Sequence, residues 1–343
     1  MILKTIPGPA HSVPAKTKLA ICVQHPFTVW HPPASFIEAL RRRWPEMKVV
    51  HAQNYELLAA EIPDADIFVG YWLKPEQFAQ ARKLKWIHST SAGVSHLMYP
   101  GLCNSGVLVT NSSGIFSAPM AEHTMGLLIA LARNFPDTLR YQERRQWAQQ
   151  ELWDKPQGLE ELNGQLLLIL GFGSIGRELA RLARAFGMRI WGVTRSGEGD
   201  RTLAEKILPP SRLDEALPEA DYVVIAAPET PDTRQLVGAA QIARMKARAR
   251  VVNIARGSLL DEAALVRALE AGALAGAALD VTTDEPLPPE SPLWSAPNLL
   301  LTPHTSAASQ RLWERQTALV VELLDRWFDG KELFNRVDFS RGY

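Results

Sequence analysis

The sequence contains little cysteine: its 343 residues include two, Cys22 and Cys103. Two cysteines so far apart match neither the ligand spacing of a metal site nor the framework of a small disulfide-linked domain. We therefore expect no metal centre, and a reducing compartment suits such a chain.

An excess of charge of either sign is also absent. Lysine and arginine together number 37, as do aspartate and glutamate, so the formal net charge is zero. This balance argues against nucleic acid or an acidic membrane surface as a partner. No apolar run approaches the length that spans a bilayer, and prolines interrupt residues 1–18 where a signal peptide needs a continuous apolar segment. We expect a soluble, cytoplasmic protein.

A glycine-rich turn in the middle of the chain is the most informative feature that is present. The segment LLLILGFGSIG, residues 166–176, combines an apolar run, a GxGxxG turn and the start of a helical pattern. A strand, a tight turn and a helix in this order are typical of a dinucleotide-binding unit. An ordinary strand-to-helix loop is the alternative for the turn alone, but the flanking patterns favour a dinucleotide. The cofactor-binding residues predicted here are Gly171, Gly173, Ser174, Ile175 and Gly176.

The three glycines have different expected roles. Gly171 permits the turn, Gly173 lets backbone N–H groups approach a pyrophosphate, and Gly176 allows the helix to pack closely on the strand. The partial positive charge of the helix N-terminus then faces the phosphates.

The length of the chain and its repeated strand and helix signals predict an α/β protein with two domains. The first domain is a smaller, flavodoxin-like parallel sheet, with strands predicted at 18–24, 47–52, 65–72, 84–90 and 106–111. The second is a Rossmann-type doubly wound parallel sheet of six strands, predicted at 166–170, 188–194, 221–227, 250–255, 274–281 and 298–303.

The last predicted helix, residues 309–330, has an apolar stripe that includes Leu312, Leu319, Leu323 and Trp327, and Gly330 suits its C-terminal cap. Because the second sheet is complete without it, we expect this helix to pack on the first domain. The predicted domains are a substrate (catalytic) domain of residues 1–111 plus 305–343 and a dinucleotide-binding domain of residues 112–304.

Residues 117–145 form a long helical pattern that is apolar on most sides in its first part. The second part carries Arg140, Arg144 and Arg145. A solvated helix face explains these arginines, since surface charges contribute little to stability. An arm used in oligomerisation is the alternative, and we expect a homodimer.

Polar residues follow the later strands at the edge of the sheet where ligands bind. Arg256 follows one strand, and Asp280 ends the next, with Glu285 just beyond it. His304 follows the last strand. A guanidinium can bind a carboxylate in bidentate fashion, and an imidazolium can donate a proton to a carbonyl oxygen as hydride arrives. Each residue alone also fits a surface role, but together they match the reduction of a 2-oxo acid.

The choice of cofactor depends on the end of the second Rossmann strand. An NAD-preferring fold places an acid there for the ribose 2′-hydroxyl, whereas this chain has Thr194, Arg195 and Ser196. A 2′-phosphate suits Arg195 and Ser196, so we predict that NADP(H) is preferred and NAD(H) possible. An Arg195 that points to solvent is the alternative. Pro228 and Ala255 complete the predicted cofactor-binding residues.

The chain resembles the D-isomer-specific 2-hydroxyacid dehydrogenases over most of its length. The segments that carry this resemblance are STSAGVSHL (89–97), NSSGIFSAPMAEHTMGLLIALARN (111–134), GFGSIG (171–176), VVNIARGSLLDEAAL (251–265), ALDVTTDEPLP (278–288) and LTPHTSA (301–307). The resemblance implies that Arg256 binds substrate, that His304 is the acid/base and also contacts substrate, and that Glu285 is the partner of His304. It further implies that Asp280 holds the nicotinamide carboxamide.

The same resemblance implies that backbone N–H groups around Ala92, Gly93 and Val94 bind the substrate carboxylate. Ser95 follows where the family usually has aspartate, and a serine can still cap the next helix. The related formate dehydrogenases have glutamine in the role of Glu285, which argues against formate as substrate.

The segments at 89–97 and 194–196 are similar to those of the glyoxylate/hydroxypyruvate reductase branch, which implies reduction of small 2-oxo acids with NADP(H). An NAD-dependent dehydrogenase of a bulkier D-2-hydroxy acid and a non-catalytic NAD(P)H-sensing protein are the alternatives. Trp72 and Met120 could border the pocket or belong to the core. Trp147 resembles a tryptophan that reaches the neighbouring subunit's site in some relatives.

Overall fold

The computed structural model describes residues 17–155, 158–340 and 342. Residues 1–16 of the proline-interrupted N-terminal segment lie outside this description. The described chain divides into two compact units. One comprises the residues up to Phe116 together with those from Ala308 onward, and the other is Ser117–Ala307.

The strands are β1 (Lys18–Cys22), β2 (Lys48–His51), β3 (Ile67–Gly70), β4 (Trp86–Ser89), β5 (Leu108–Thr110), β6 (Leu166–Leu170), β7 (Arg189–Val193), β8 (Lys206–Leu208), β9 (Tyr222–Ile225), β10 (Arg250–Asn253), β11 (Gly276–Leu279) and β12 (Leu299–Leu301). The α-helices are α1 (Ala34–Arg43), α2 (Tyr55–Glu61), α3 (Pro75–Phe78), α4 (Pro100–Cys103), α5 (Ser117–Ala132), α6 (Phe135–Glu143), α7 (Gln149–Trp153), α8 (Ser174–Ala185), α9 (Leu213–Ala216), α10 (Ala239–Ile242), α11 (Glu262–Glu270) and α12 (Leu312–Phe328).

The first unit is built on a parallel sheet in the order β2-β1-β3-β4-β5. This is the flavodoxin-like order, so the predicted fold class is confirmed for this unit. Alternate residues of each strand enter two different cores. One core contains Leu19 and Ile21 with side chains of α1 and α12, and the other contains Ala20 and Cys22 with side chains of α2 and α4.

Helix α12 covers the same face of this sheet as α1, and its C-terminus is closed by a glycine. Gly330 has a φ of +66°, and its N–H donates to Trp327 O at 3.2 Å. The next N–H, of Lys331, donates to Arg326 O at 2.9 Å. These two bonds form a Schellman motif, which satisfies carbonyl groups that the helix itself cannot.

The second unit is built on a parallel sheet in the order β12-β11-β10-β9-β6-β7-β8. The order reverses direction beside β6, as in a doubly wound Rossmann sheet, so this part of the predicted fold class is also confirmed. The prediction of six strands was wrong, because β8 adds a seventh. It has three residues, ends before Pro209 and pairs with β7 at the edge of the sheet. A strand this short shows no periodicity in the sequence.

The long helical pattern at residues 117–145 is two helices in the structure. Asn134 adopts a left-handed conformation, with a φ of +58°, and separates α5 from α6. Residues on several sides of α5 are buried. Arg144 and Arg145 are exposed, whereas Arg140 contacts Asp137 and the carbonyl of Ala296. Among the described residues, no helix combines the length and apolar composition that crossing a membrane requires.

Candidate active site

The glycine turn after β6 has the geometry of a nucleotide-binding turn. Gly171 has a φ of +101°, and a Cβ atom there would lie 2.5 Å from the backbone nitrogen of Ala227. A Cβ atom at Gly176 would overlap the carbonyl oxygen of Gly171 and lie 3.1 Å from Ile169. A side chain is therefore excluded at both positions, by the turn and by the packing of α8 on β6.

Gly173 differs from the other two glycines because a Cβ atom there would meet nothing within 4 Å. Gly173 is the N-cap residue of α8, and no side chain caps this helix. An uncapped helix N-terminus beside open space can accept an anionic group. The residues present at this turn thus fit a dinucleotide pyrophosphate.

The loop after β7 is organised by its own side chains. The hydroxyl of Thr194 donates to Glu198 O at 2.8 Å, and the hydroxyl of Ser196 accepts from Glu198 N at 3.2 Å. Arg195, between them, is exposed. Two acids follow in this loop, Glu198 and Asp200, and both are exposed. Asp200 accepts bonds from Thr202, and these bonds hold the pKa of Asp200 below its usual value.

The loops that follow β10 and β11 pack against each other without intervening side chains. A Cβ atom at Gly257 would overlap the backbone of Thr282 and Thr283, so only glycine fits this approach. Arg256, which precedes Gly257, is exposed and donates to Ala255 O at 2.6 Å. This close approach places Arg256 beside the loop that carries Glu285.

A buried side chain that the sequence analysis missed, Asn253, fixes the backbone before Arg256. Its amide donates to Arg256 O at 2.8 Å and its carbonyl oxygen accepts from Ala255 N at 3.0 Å. It ends β10 directly after Val251 and Val252, and a polar residue after that apolar pair is the signal that could have identified it. Ala255 is itself buried, whereas Pro228, after β9, is exposed.

Glu285 and His304 form a hydrogen-bonded pair. The distance from Glu285 Oε2 to His304 Nδ1 is 2.7 Å, and Oε1 of the same carboxylate accepts from Thr282 N at 3.1 Å. The side chains of His304 and Glu285 are 45% and 39% exposed. Because Nδ1 contacts the carboxylate, Nε2 of His304 is the nitrogen left for exchange of a proton with a substrate.

Asp280 holds the loop on both sides of His304. Its fully buried carboxylate accepts from the hydroxyl of Thr302 at 2.6 Å and from the backbone N–H groups of Thr305 at 2.9 Å and Ser306 at 3.1 Å. Burial would raise the pKa of Asp280, but the hydrogen bonds from Ser306 and Thr302 outweigh burial and hold it below its usual value. Contact between Asp280 and a nicotinamide carboxamide stays a prediction.

His123, on α5, also contacts this cluster and was not identified from the sequence. Its Nε2 lies 3.1 Å from the hydroxyl of Thr302 and 3.6 Å from the carboxylate of Asp280. These residues are far apart in the chain, and nothing in a single sequence links them. The described residues contain no group of three or more histidines, cysteines and acids that could hold a metal ion.

The predicted carboxylate-binding loop lies in the first unit, after β4. Ala92 O accepts from the side chain of Asn111 at 2.9 Å, and Gly93 O accepts from the hydroxyl of Ser91 at 2.6 Å. Gly93 is exposed and Val94 is buried. With these carbonyls already bonded within the unit, the loop can offer N–H groups to an anion.

The expectation that Ser95 caps the following helix was wrong. The helical segment is a short 3₁₀ turn, Ser95–Leu97, and its N-cap position falls on Val94, which has no side-chain cap. Ser95 is already inside the turn, where its hydroxyl cannot serve as the cap. Of the two positions considered for Trp72 and Met120, pocket or core, the structure shows core packing: each packs against a hydrophobic core of its own unit.

A family model agrees with this arrangement. The model for the NAD binding domain of the D-isomer specific 2-hydroxyacid dehydrogenases matches residues 125–306 of this chain. The match covers more than half of the chain and includes the glycine turn, Arg256, Glu285 and His304.

Individual relatives are similar over a larger share of the chain. D-3-phosphoglycerate dehydrogenase of Methanocaldococcus jannaschii is 33% identical over 296 residues, which cover 85% of this chain and 55% of that protein, so the chain spans about half its length. Glyoxylate reductase of Korarchaeum cryptofilum is 33% identical over 275 residues, 78% of this chain and 81% of the relative. A similar solved structure is that of an NADPH-dependent glyoxylate/hydroxypyruvate reductase of Sinorhizobium meliloti, crystallised with NADP and sulfate. Its sequence is 26% identical and the TM-score is 0.79, and the match covers 95% of this chain and 100% of the reductase chain.

Proposed function

Because this chain belongs to the D-isomer specific 2-hydroxyacid dehydrogenase family, we propose that it reduces small 2-oxo acids, such as glyoxylate and hydroxypyruvate, to 2-hydroxy acids with NADP(H). The observation that carries the proposal is the 2.7 Å pair of Glu285 and His304, with Arg256 on the adjoining loop. It combines a proton donor, held by a carboxylate, with a cation for a substrate anion.

In this reaction His304 donates a proton from Nε2 to the carbonyl oxygen of the 2-oxo acid. The nicotinamide, when bound, supplies the hydride to the carbonyl carbon. Glu285 orients the imidazole through its contact with Nδ1. Arg256 binds the substrate and polarises its carbonyl group, and the N–H groups of Ala92–Val94 bind its carboxylate.

The preference for NADP(H) is supported by the loop after β7. An exposed arginine and a serine stand where an NAD-binding sheet presents an acid, and the acid at Asp200 is engaged by Thr202. A cationic side chain there favours a ribose 2′-phosphate, which a carboxylate would repel. The similar reductase of Sinorhizobium meliloti is described as NADPH-dependent.

A homodimer is supported by exposed apolar side chains between residues 135 and 153. Phe135, Leu139 and Trp153 are exposed, and Trp147 is 90% exposed. Apolar patches of this kind mark interaction sites on proteins. A second copy of the chain covers this surface in our proposal, and Trp147 then contacts the partner.

A steady-state panel tests the proposed function. Glyoxylate, hydroxypyruvate and a bulky aromatic 2-oxo acid are each reduced with NADPH and with NADH. We expect the highest kcat/KM for a small 2-oxo acid with NADPH. Turnover of the bulky acid alone with NADH would favour a dehydrogenase of larger D-2-hydroxy acids, and no turnover of any substrate would favour a sensor.

A matched pair of variants tests the cofactor choice. Arg195→Ala should raise the KM for NADPH about tenfold and change the KM for NADH little, since it removes a charged hydrogen bond to the 2′-phosphate. Arg201→Ala, at an exposed arginine of the same loop, is the control. Equal effects of Arg195→Ala on the two cofactors would contradict the assignment.

A further inference from the structure

A buried chain of polar side chains in the first unit connects α12 to the strands of the sheet. The amide nitrogen of Gln316, which is buried, lies 3.0 Å from Nε2 of His88 on β4. The other ring nitrogen, Nδ1, lies 2.9 Å from the hydroxyl of Thr110, which accepts from the indole N–H of Trp86 at 2.9 Å. Polar groups buried this deeply are costly unless they are hydrogen-bonded, so their positions are closely determined.

His88 is uncharged in this chain. Complete burial lowers the pKa of His88 to about 3. A neutral imidazole has one donor and one acceptor nitrogen. Since the amide nitrogen of Gln316 can only donate, Nε2 of His88 accepts, and Nδ1–H donates to Thr110.

Ser112 extends this chain to the loop after β4. Its hydroxyl lies within hydrogen-bond distance of two acceptors, Ser89 O at 2.8 Å and Nε2 of His88 at 3.2 Å, and its single hydrogen can be shared between them. Its backbone N–H donates to Ser91 O at 3.0 Å. The position of Ser112 therefore determines where two carbonyls lie, that of Ser89 at the end of β4 and that of Ser91 in the loop.

Asn111 fixes the next carbonyl in the same loop. Its amide donates to Ala92 O, and its own backbone carbonyl accepts from the side chain of Asn335 at 3.3 Å. The carbonyls of Ser91 and Ala92, immediately before the exposed Gly93, are thus held by residues that follow β5. The orientation of a peptide carbonyl fixes the N–H group of the same planar peptide.

The stability of the fold alone does not explain a glutamine at position 316. Its Oε1 atom is buried and has no hydrogen-bond partner among the described residues. Leaving a buried acceptor unpaired is destabilising, whereas an apolar side chain of similar size would avoid that penalty. A residue that lowers stability at a packed position suggests a role in function.

We propose that Gln316 is a positioning residue for substrate binding. Acting through His88 and Ser112, it holds the loop after β4 in the conformation that presents its N–H groups to the substrate carboxylate. The inference rests on the proposed function, which assigns that loop to the carboxylate.

The variant Gln316→Leu tests this role. We expect the KM for glyoxylate to rise about tenfold, the KM for NADPH to stay within about twofold, and the melting temperature not to fall, because the unpaired Oε1 is removed. Val320→Ala, a packing change on the same helix, is the matched control: it should lower the melting temperature and leave both KM values unchanged. Similar KM changes in both variants, or no change in Gln316→Leu, would overturn the proposal.

A double mutant and a measurement that needs no activity complete the test. Gln316→Leu combined with Ser112→Ala should raise the KM by less than the product of the single effects, because both act through one chain of hydrogen bonds. Hydrogen exchange of residues 90–95 in the full-length protein should be faster in Gln316→Leu than in Val320→Ala. If the wild type reduces no 2-oxo acid, the proposed function fails, while exchange still decides whether Gln316 positions the loop. Equal exchange rates in Gln316→Leu and Val320→Ala would reject the role of Gln316 in positioning the loop.

Discussion

At the scale of single residues, the backbone of His304 is as constrained as its side chain. His304 has a φ of +52°, in the left-handed region that residues other than glycine rarely adopt. Its N–H donates to Asp280 O at 2.8 Å, while the Asp280 carboxylate accepts from Thr305 and Ser306. Such strain persists where the surroundings determine the conformation, and it is common at active sites. Asp280 therefore fixes the backbone around His304, and Glu285 fixes the imidazole ring.

Replacing His304 tests its role as proton donor. His304→Ala should lower kcat by about 10²- to 10⁴-fold, the range typical of a lost general acid. Fluorescence titration should show an unchanged Kd for NADPH, since the glycine turn is intact. Glu285→Gln should reduce activity less, because the amide oxygen can still accept a hydrogen bond from Nδ1 of His304 and orient the ring. A kcat for His304→Ala within tenfold of the wild type would assign proton donation to another group.

At the scale of elements, two glycines of the turn between β6 and α8 differ in the space around them. A side chain at Gly176 collides with backbone, whereas a side chain at Gly173 enters open space at the helix end. The fold requires glycine at position 176, whereas at position 173 we propose that a ligand requires it. Sequence spacing alone gives both the same appearance.

Two alanine substitutions distinguish these glycines. Gly176→Ala should lower the free energy of unfolding by about 1–3 kcal/mol, the usual cost of overpacking. Gly173→Ala should leave the unfolding free energy within about 0.5 kcal/mol, as for surface substitutions, yet weaken NADPH binding, since its methyl group occupies space beside the helix N-terminus. Chemical denaturation and cofactor titration provide both values. A stable Gly173→Ala protein with normal NADPH affinity would place the pyrophosphate elsewhere.

The lowered pKa of the buried His88, on β4, makes the stability of the protein depend on pH. Burial lowers the pKa of His88 to about 3, whereas in the unfolded chain it titrates near its ordinary value of about 6.5. The unfolded state therefore binds one more proton between these values, and stability falls as pH falls. We expect His88 to contribute a loss of about 1.4 kcal/mol per pH unit below pH 6.5.

The measurement is the free energy of unfolding between pH 7 and pH 5 in urea. His88→Gln should show a shallower dependence on pH, and Val320→Ala should shift the curve down without changing its slope. A slope in His88→Gln equal to that of the wild type would show that another group dominates this range.

Much of the fold was predictable because its signals are local. Buried parallel strands are continuous apolar runs, and the order of strands and helices predicts both sheet types. The edge strand β8 was missed because three residues carry no periodicity. The motifs identified Arg256, Glu285 and His304, and the family resemblance is confirmed. Asn253, His123 and Gln316 were not found, since their roles depend on contacts that a single sequence does not reveal.

At the scale of the whole molecule, two properties bear on association. Large apolar side chains are exposed between residues 135 and 153, and the formal net charge of the sequence is zero. Because net charge is zero, electrostatic repulsion does not oppose association of two copies. A dimer that uses this surface would bury Leu139 and Trp147.

A pair of equivalent substitutions tests the dimer. Leu139→Asp should convert a dimer to a monomer in sedimentation velocity, because a buried carboxylate without a partner is strongly unfavourable at an interface. Leu57→Asp, at a leucine of similar exposure on α2, is the control and should leave the mass unchanged. A monomeric wild type, or a dimer that survives Leu139→Asp, would contradict the proposed interface.

The first unit is assembled from two separated parts of the chain, and this has a consequence for synthesis on the ribosome. The strands β1–β5 emerge early, but α12, which contributes Val320, Val321, Leu323 and Leu324 to one of the two cores, emerges after the whole second unit. The second unit is continuous in sequence and can fold as soon as Ala307 has been made. Until α12 arrives, the face of the five-stranded sheet that α1 and α12 share is covered only in part, so the growing chain exposes apolar surface there. The 191 residues of Ser117–Ala307 must therefore be translated before this core can be completed.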